Sequence, residues 1–316
     1  MTQFSGIFIQ LGQSLLVLLL APLLLGWVNQ CRAWLQNRSG SGLLQPYRNL
    51  RKLFHKDAVL AHSASPLFRA TPYILFGCMW LAAGIIPIIA TDLPYSPAAD
   101  VIALVGIFAL ARVFIALAAM DIGTSFGTLG ARREMLLSFL AEPALLMVFF
   151  TASLISHSTQ LNTIVEALAH KQFVLYPSLA FASIAFVMVL LAENARIPVD
   201  NPATHLELTM VHEAMILEYS ARHLALIEWA SSLKLLAYTG IGIALFLPYG
   251  IAQAGDLGAL PMAIIALMIK LIFAGAGLAL LETVSAKMRI FRAPEFLGTA
   301  FLLAVLGMLI HFLLGA

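Results

Sequence analysis

The chain has 316 residues, 61% of them hydrophobic and only 11% charged, with a formal net charge of +2 and a mean hydropathy of +0.94. Soluble domains carry about 25% charged residues, so an ordinary soluble fold is excluded, and a balance this close to neutral does not suggest nucleic acid as a partner. Two cysteines, Cys31 and Cys78, stand apart with no CxxC pair; an iron–sulfur cluster needs about four thiolates, so this chain holds none alone, and neither a zinc site nor a structural disulfide is indicated.

Apolar windows recur along the chain at roughly 5–28, 71–91, 100–120, 134–157, 173–192, 225–248, 260–281 and 295–314. Each is about the 20 residues needed to cross a hydrocarbon core. The windows predict a single all-α membrane domain over 1–316 with eight transmembrane helices. Continuous apolar runs lack the alternation of a membrane β-barrel. The first window lacks a basic n-region and is longer than a signal h-region, so it reads as the first helix.

Lys and Arg placement sets orientation. The loop at 29–70 carries Arg32, Arg38, Arg48, Arg51, Lys52, Lys56 and Arg69. Those at 121–133, 193–223 and 282–294 carry Arg132 and Arg133, Arg196 and Arg222, and Lys287, Arg289 and Arg292. These four loops are expected in the cytoplasm, with both termini outside. Within the first, Leu43, Tyr47, Leu50 and Phe54 recur at helical spacing, with Arg48, Arg51 and Lys52 off that face. Such a segment suits either the membrane interface or a partner protein.

Charges inside the spans are costly, from about 2.5 kcal/mol for a lone central charge. Arg112 falls in the third window, Glu142 beside Pro143 in the fourth, Glu228 and Lys234 in the sixth, and Lys270 in the seventh. Together they suggest a buried hydrophilic track, the alternative being static ion pairs. Glu134 and Glu142, eight positions apart, share a half-face without direct proton exchange; Glu228 and Lys234 point about 120° apart.

Titratable groups concentrate in one polar stretch, where Glu193, Asp200, Glu207, Glu213 and Glu218 stand with His205, His212 and His223. Glu193 with Arg196, and Glu218 with Arg222, have the spacing of local pairs. A metal reading of His212-Glu213 fails, because Ile216 occupies the place of the second histidine in HExxH. Asp200, Glu207 and Glu213 are better read as protonatable groups in a partly buried loop.

The run ENARIPVDNPATHLEL, followed by LEYS, resembles the signature loop of the H-type membrane subunit of respiratory complex I. It also resembles the matching subunit of energy-converting nickel–iron hydrogenases, including formate hydrogenlyase. Glu193, Arg196, Pro198, Asp200, Pro202, Glu207, Leu208, Glu218, Tyr219 and Ser220 carry the likeness. Asn37-Arg38, Gly40, Gly42, Leu44-Gln45, Tyr47-Arg48 and Lys52-Leu53-Phe54 look like that family's first loop. Asp121-Ile122-Gly123, Gly130-Ala131-Arg132-Arg133-Glu134 and Glu142-Pro143 favour the hydrogenase branch.

The resemblance implies a non-catalytic anchoring and coupling subunit in a bacterial inner membrane. Hydrogenase-like or complex I-like peripheral subunits would bear a nickel–iron centre and iron–sulfur clusters, this chain holding no cofactor. Docking would use Arg38, Gln45, Arg48, Arg51, Lys52, Arg132, Arg133 and Arg196. Coupling to antiporter-like membrane subunits would pass along Glu142, Arg112, Glu228, Lys234, Lys270 and Glu282. The family's acidic roles carry over to Glu193, Asp200, Glu207 and Glu218 alone. This chain departs from the pattern around His205, His212 and Glu213, which inherit none. The alternatives are a quinone-site subunit of complex I and an independent ion-coupled transporter, the latter disfavoured by the lack of a visible internal repeat.

Overall fold

The structure is a computed structural model that describes residues 2–61, 63–91, 93–95, 98–170, 177–200, 211–253 and 258–314. His205 and Glu207 lie outside the described residues. Eleven helices follow one another among those described: α1 (Thr2–Leu35), α2 (Gln45–Phe54), α3 (Pro66–Ile85), α4 (Val101–Asp121), α5 (Ser125–Ser156), α6 (Leu161–His170), α7 (Pro177–Glu193), α8 (His212–Ile216), α9 (Ala221–Phe246), α10 (Leu260–Val284) and α11 (Ala293–Leu314). Two isolated bridges, Ala90 with Ala252 and Asp100 with Gln160, are the extended pairings among these residues.

Seven of the helices are long and apolar enough to cross a membrane. The fifth apolar window is represented by α7, whose 17 residues stand at the short end of the spanning range. Helix bounds differ from the windows in one informative way. Helix α5 begins at Ser125 and not near residue 134, which puts Arg132 and Arg133 on a helix. Hydropathy marks only the part of a helix that lies in lipid, while backbone hydrogen bonding carries it on through the polar end.

Helix starts are fixed by side chains that accept from otherwise unpaired backbone N–H groups. Ser65 Oγ accepts from Leu67 and Phe68, and Asp100 Oδ1 from Ile102 and Ala103. At the far end of α3, Gln10 Nε2 donates to Gly84 O at 2.9 Å, and Gln13 Nε2 to Gly84 O and Ile86 O at 3.0 and 2.8 Å. Two buried glutamines on α1 thus close the last turn of its neighbour.

The core forms where α3 packs on α9 and α4, with α1 against α9 and α10, and α11 against α5 and α7. Trp27 Nε1 donates to Ile272 O at 2.9 Å and Trp229 Nε1 to Leu18 O at 3.2 Å, tying α1 to α10 and α9. The four basic loops meet at one end of the bundle. There Asp121 Oδ2 accepts from Ser65 N, Ser220 Oγ donates to Val59 O, and Met288 N donates to Pro198 O.

At this end α2 lies on α9 and α1. Leu50 is buried, the Phe54 ring meets Trp229 edge-on, and the Tyr47 hydroxyl donates to Leu19 O. Leu43 stays exposed and outside the helix. Short α8 rests on α5 at Gly130, where a β-carbon would come within 2.9 Å of Val211 O and 3.0 Å of Ala214 Cβ.

Candidate functional site

Arg112 in the middle of α4 is 6% exposed and faces three carboxylates. Its Nη1 donates to Glu142 Oε1 at 2.8 Å, its Nη2 donates to Glu193 Oε2, and its Nε lies 3.3 Å from Glu134 Oε1. Lys234 from α9 adds a second cation, with Nζ 3.0 Å from Glu193 Oε2. Four helices, α4, α5, α7 and α9, therefore contribute charged groups to one cluster. Only arginine offers five donors in a planar fork, which is why a single side chain can hold partners on α5 and α7 together. Burial of so many charges is tolerable only because each has a counter-charge at contact distance.

A second cluster lies toward the basic-loop end. Glu282 on α10 is 3% exposed; its Oε1 accepts from Arg196 Nη1 at 3.0 Å and its Oε2 from Arg32 Nη1 at 3.4 Å. Asn29 Oδ1 accepts from Arg32 Nη2 at 3.3 Å. Burial pulls the Arg196 guanidinium below its usual range, against the opposing pull of Glu282.

A cavity of about 470 Å³ joins the two clusters. Its polar lining includes Arg112, Glu134, Glu193, Lys234, His212 and Glu213 together with Asn29, Arg32, Asn194 and Arg196. Leu25, Leu75, Met79, Phe108, Ile115 and Ile227 are among its apolar lining. A void of this size lined by charged groups from both clusters can hold water, and water is what a proton path between separated groups requires.

His212 begins α8 and enters this cavity. Its Nε2 is 3.3 Å from Glu134 Oε2 and its Nδ1 is 3.7 Å from Asp200 Oδ2, while its backbone N–H donates to Asp200 Oδ2 at 3.4 Å. Burial alone would push the imidazole pKa down; Glu134 and Asp200 outweigh it and raise the value above the ordinary one.

The residues singled out in the sequence separate into groups. Arg112, Glu134, Glu142, Glu193 and Lys234 are brought together, with Asp200 linked through His212 and Glu282 across the cavity. Several expectations are corrected. Glu193 and Arg196 do not pair locally, since the chain turns after α7 and sends Glu193 to Arg112 and Arg196 to Glu282. That burial also takes Arg196 off the docking face. Glu218 is exposed, and among the described residues it forms no ion pair with Arg222. Its neighbours instead clamp the fold: Tyr219 stacks on Phe68 with ring centroids 3.9 Å apart, and Ser220 fastens Val59.

Lys270 stands apart from the cluster as well. Its Nζ donates to Leu247 O at 2.6 Å and to Tyr249 O, closing the end of α9, where unpaired carbonyls attract a cation. Glu228 lines a separate cavity of about 190 Å³ with Asn29, Gln45, Asn49 and Ser232, beneath α2. Arg38, Arg48, Arg51, Lys52 and Arg132 are exposed at the basic-loop end, with Gln45 and Arg133 half-buried. Among the described residues, no group of three or more His, Cys, Asp and Glu side chains is placed to hold a metal ion.

Sequence reasoning gave His212, Arg32 and Asn29 no role. His212 had only its neighbour Glu213 as a cue, and Arg32 reads as one more basic loop residue.

A family model described as NADH dehydrogenase matches residues 9–313. Among relatives, formate hydrogenlyase subunit 4 of Escherichia coli (strain K12) is 31% identical over 289 residues, 92% of this chain and 93% of the relative. Hydrogenase-4 component C of the same organism is 35% identical over 272 residues, 85% of each. The H-type subunit of the NADH-quinone oxidoreductase of Rickettsia prowazekii (strain Madrid E) is 26% identical over 207 residues, 65% of this chain and 60% of that one. A chain in the structure of the membrane-bound sulfane sulfur reductase, an archaeal respiratory membrane complex, superposes with a TM-score of 0.81 at 19% identity, covering 96% of this chain and 99% of that one.

Proposed function

Because the chain belongs to the NADH dehydrogenase family, as a multi-pass membrane protein like the H-type membrane subunit of complex I, we propose that it anchors and couples a multi-subunit respiratory-type complex. Redox chemistry in a peripheral arm would be linked through this subunit to proton translocation in the membrane. The longer and closer matches to the hydrogenase relatives support an energy-converting hydrogenase or formate hydrogenlyase type over the quinone-reducing type. On that reading the nickel–iron centre and iron–sulfur clusters reside in partner subunits, and the setting is a bacterial inner membrane.

One observation carries the coupling role: a guanidinium on α4 joined to carboxylates from α5 and α7, beside a cavity leading to the basic-loop end. Charges this expensive to bury are retained in membrane proteins along ion and proton paths. The described relay consists of Glu142, Arg112, Glu134, Glu193 and Lys234, with Asp200 and Glu282 at its margins. A peripheral arm docking at Arg48, Arg51, Lys52 and Arg132 would sit at the same end of the bundle as the turn after α7. Antiporter-like membrane subunits would receive the proton movement laterally.

Affinity purification of the tagged chain in mild detergent, with mass spectrometry and metal analysis, tests the assembly. Nickel and iron with a hydrogenase-like large subunit is the expected result. Flavin and iron without nickel would move the chain to the quinone-reducing branch, and a stable, metal-free single polypeptide would overturn the subunit reading. Glu142→Gln should then abolish proton translocation in vesicles while the complex still assembles.

A further inference from the structure

We propose that His212 is a proton-transfer residue, passing protons between Asp200 in the loop after α7 and Glu134 in the Arg112 cluster. The proposal rests on the coupling reading above and names a residue to which that reading gives no part.

Geometry is the first argument. The imidazole stands between two carboxylate oxygens on different segments, 3.3 Å from one and 3.7 Å from the other. Among the described residues, neither ring nitrogen, nor Glu134 Oε2, has a partner in hydrogen-bond geometry. A movement of about 0.7 Å would bring Nδ1 within hydrogen-bond reach of Asp200. The ring is poised to bond one side or the other, and α8 is a single short turn resting on α5.

Charge balance is the second. Among the described residues, the charged groups around the ring are Glu134 from α5, Arg112 from α4, Lys234 from α9, Asp200 from the preceding loop and Glu213 beside it. Among the described residues of the Arg112 cluster, Glu134, Glu142 and Glu193 are three carboxylates facing two permanent cations, Arg112 and Lys234. Buried like charges cannot all ionise without a compensating proton, and an imidazole holds one close to neutral pH. The two carboxylates that raise the His212 pKa favour this loaded form.

The step conserves charge. With the ring neutral and carrying hydrogen on Nε2, Nδ1 takes the proton of a protonated Asp200, forming imidazolium and carboxylate. Nε2 then releases its proton to the Glu134 carboxylate, leaving a neutral ring with hydrogen on Nδ1. One proton has moved from loop to cluster, and tautomer exchange or ring rotation resets the ring.

The test uses membrane vesicles containing the assembled complex, with redox turnover and proton uptake measured together. His212→Gln removes the titrating group and His212→Lys replaces it with a permanent cation. Both should keep assembly and lower proton movement per turnover about a hundredfold, the low end for a positioned proton-transfer group. If lysine restores what glutamine loses, His212 is a static counter-ion and the proposal is overturned. If both variants pump normally while Glu193→Gln does not, the histidine step is wrong and the coupling reading stands. If Glu193→Gln pumps normally too, the coupling reading itself fails. Should neither variant assemble, imidazole nitrogen NMR of the wild-type complex decides. A His212 titration that drops in Glu134→Gln supports the proposal, and a ring that stays neutral from about pH 5 to 8 refutes it.

Discussion

Replacing Arg112 by lysine keeps the charge and removes the fork. A lysine amine is a point charge and would hold one carboxylate of the three, abandoning two contacts now made at 2.8–3.3 Å or closer. Buried charge-assisted hydrogen bonds are worth about 1.5–3 kcal/mol each. Glu142 must be discounted because 34% of its side chain is exposed and screened. The net cost is about 3 kcal/mol, which for a chain of 316 residues lowers the melting temperature by roughly 5 °C. Tryptophan fluorescence of the detergent-solubilised complex follows the transition. A second substitution sharpens the test. Glu142→Gln in the Arg112→Lys background removes a carboxylate that has lost its partner, so the two costs should combine to less than their sum, by about 1 kcal/mol. A shift below about 2 °C for Arg112→Lys, or strict additivity of the pair, would refute the hub.

Asp100 caps α4 and also accepts from the Thr159 hydroxyl at 2.7 Å; these hydrogen bonds outweigh burial and hold its carboxyl below the ordinary value of 3.8. Its contribution is therefore complete above the unfolded value and is lost as pH falls toward the lower folded one. Asp100→Asn keeps the cap without the titration, so melting curves taken down to about pH 3 should fall less steeply for the variant. Lys270→Met should cost about 1 kcal/mol by uncapping α9 while leaving proton translocation intact; loss of translocation would return Lys270 to the relay. Gly130→Val places a side chain against Val211 and Ala214, where a β-carbon already comes within 3.0 Å. It should displace α8 and depress proton movement as His212→Gln does, with turnover retained, and a variant that pumps normally would separate α8 from coupling.

The spans, the basic-loop end and the amphipathic α2 were legible because each depends on a local property, hydropathy or periodicity, that survives in the chain alone. The identity of the charged residues was legible for the same reason: a charge inside an apolar window is conspicuous wherever its partner lies. Pairing was not. Spacing along one helix denied Glu134 and Glu142 a direct exchange and could not show that both meet Arg112, thirty positions or fewer away in sequence but on a different helix. Glu193 and Arg196 had ideal local spacing and still part company, because α7 ends at Glu193 and the turn that follows redirects Arg196 toward α10.

The same reasoning explains which motif residues have chemistry. Glu218, Tyr219 and Ser220 are adjacent, but their surroundings divide them: Tyr219 and Ser220 hold α3 and the loop after α2, while Glu218 faces outward. His212 shows the converse. Nothing in its neighbourhood along the chain predicts a role; what gives it one is a five-residue helix delivered onto Gly130 so that its first side chain falls between carboxylates from two other segments. A sequence reports which groups are costly to bury. Whether each serves as a brace or a carrier depends on whether its partners leave it a second choice, and among the described residues His212 stands between two.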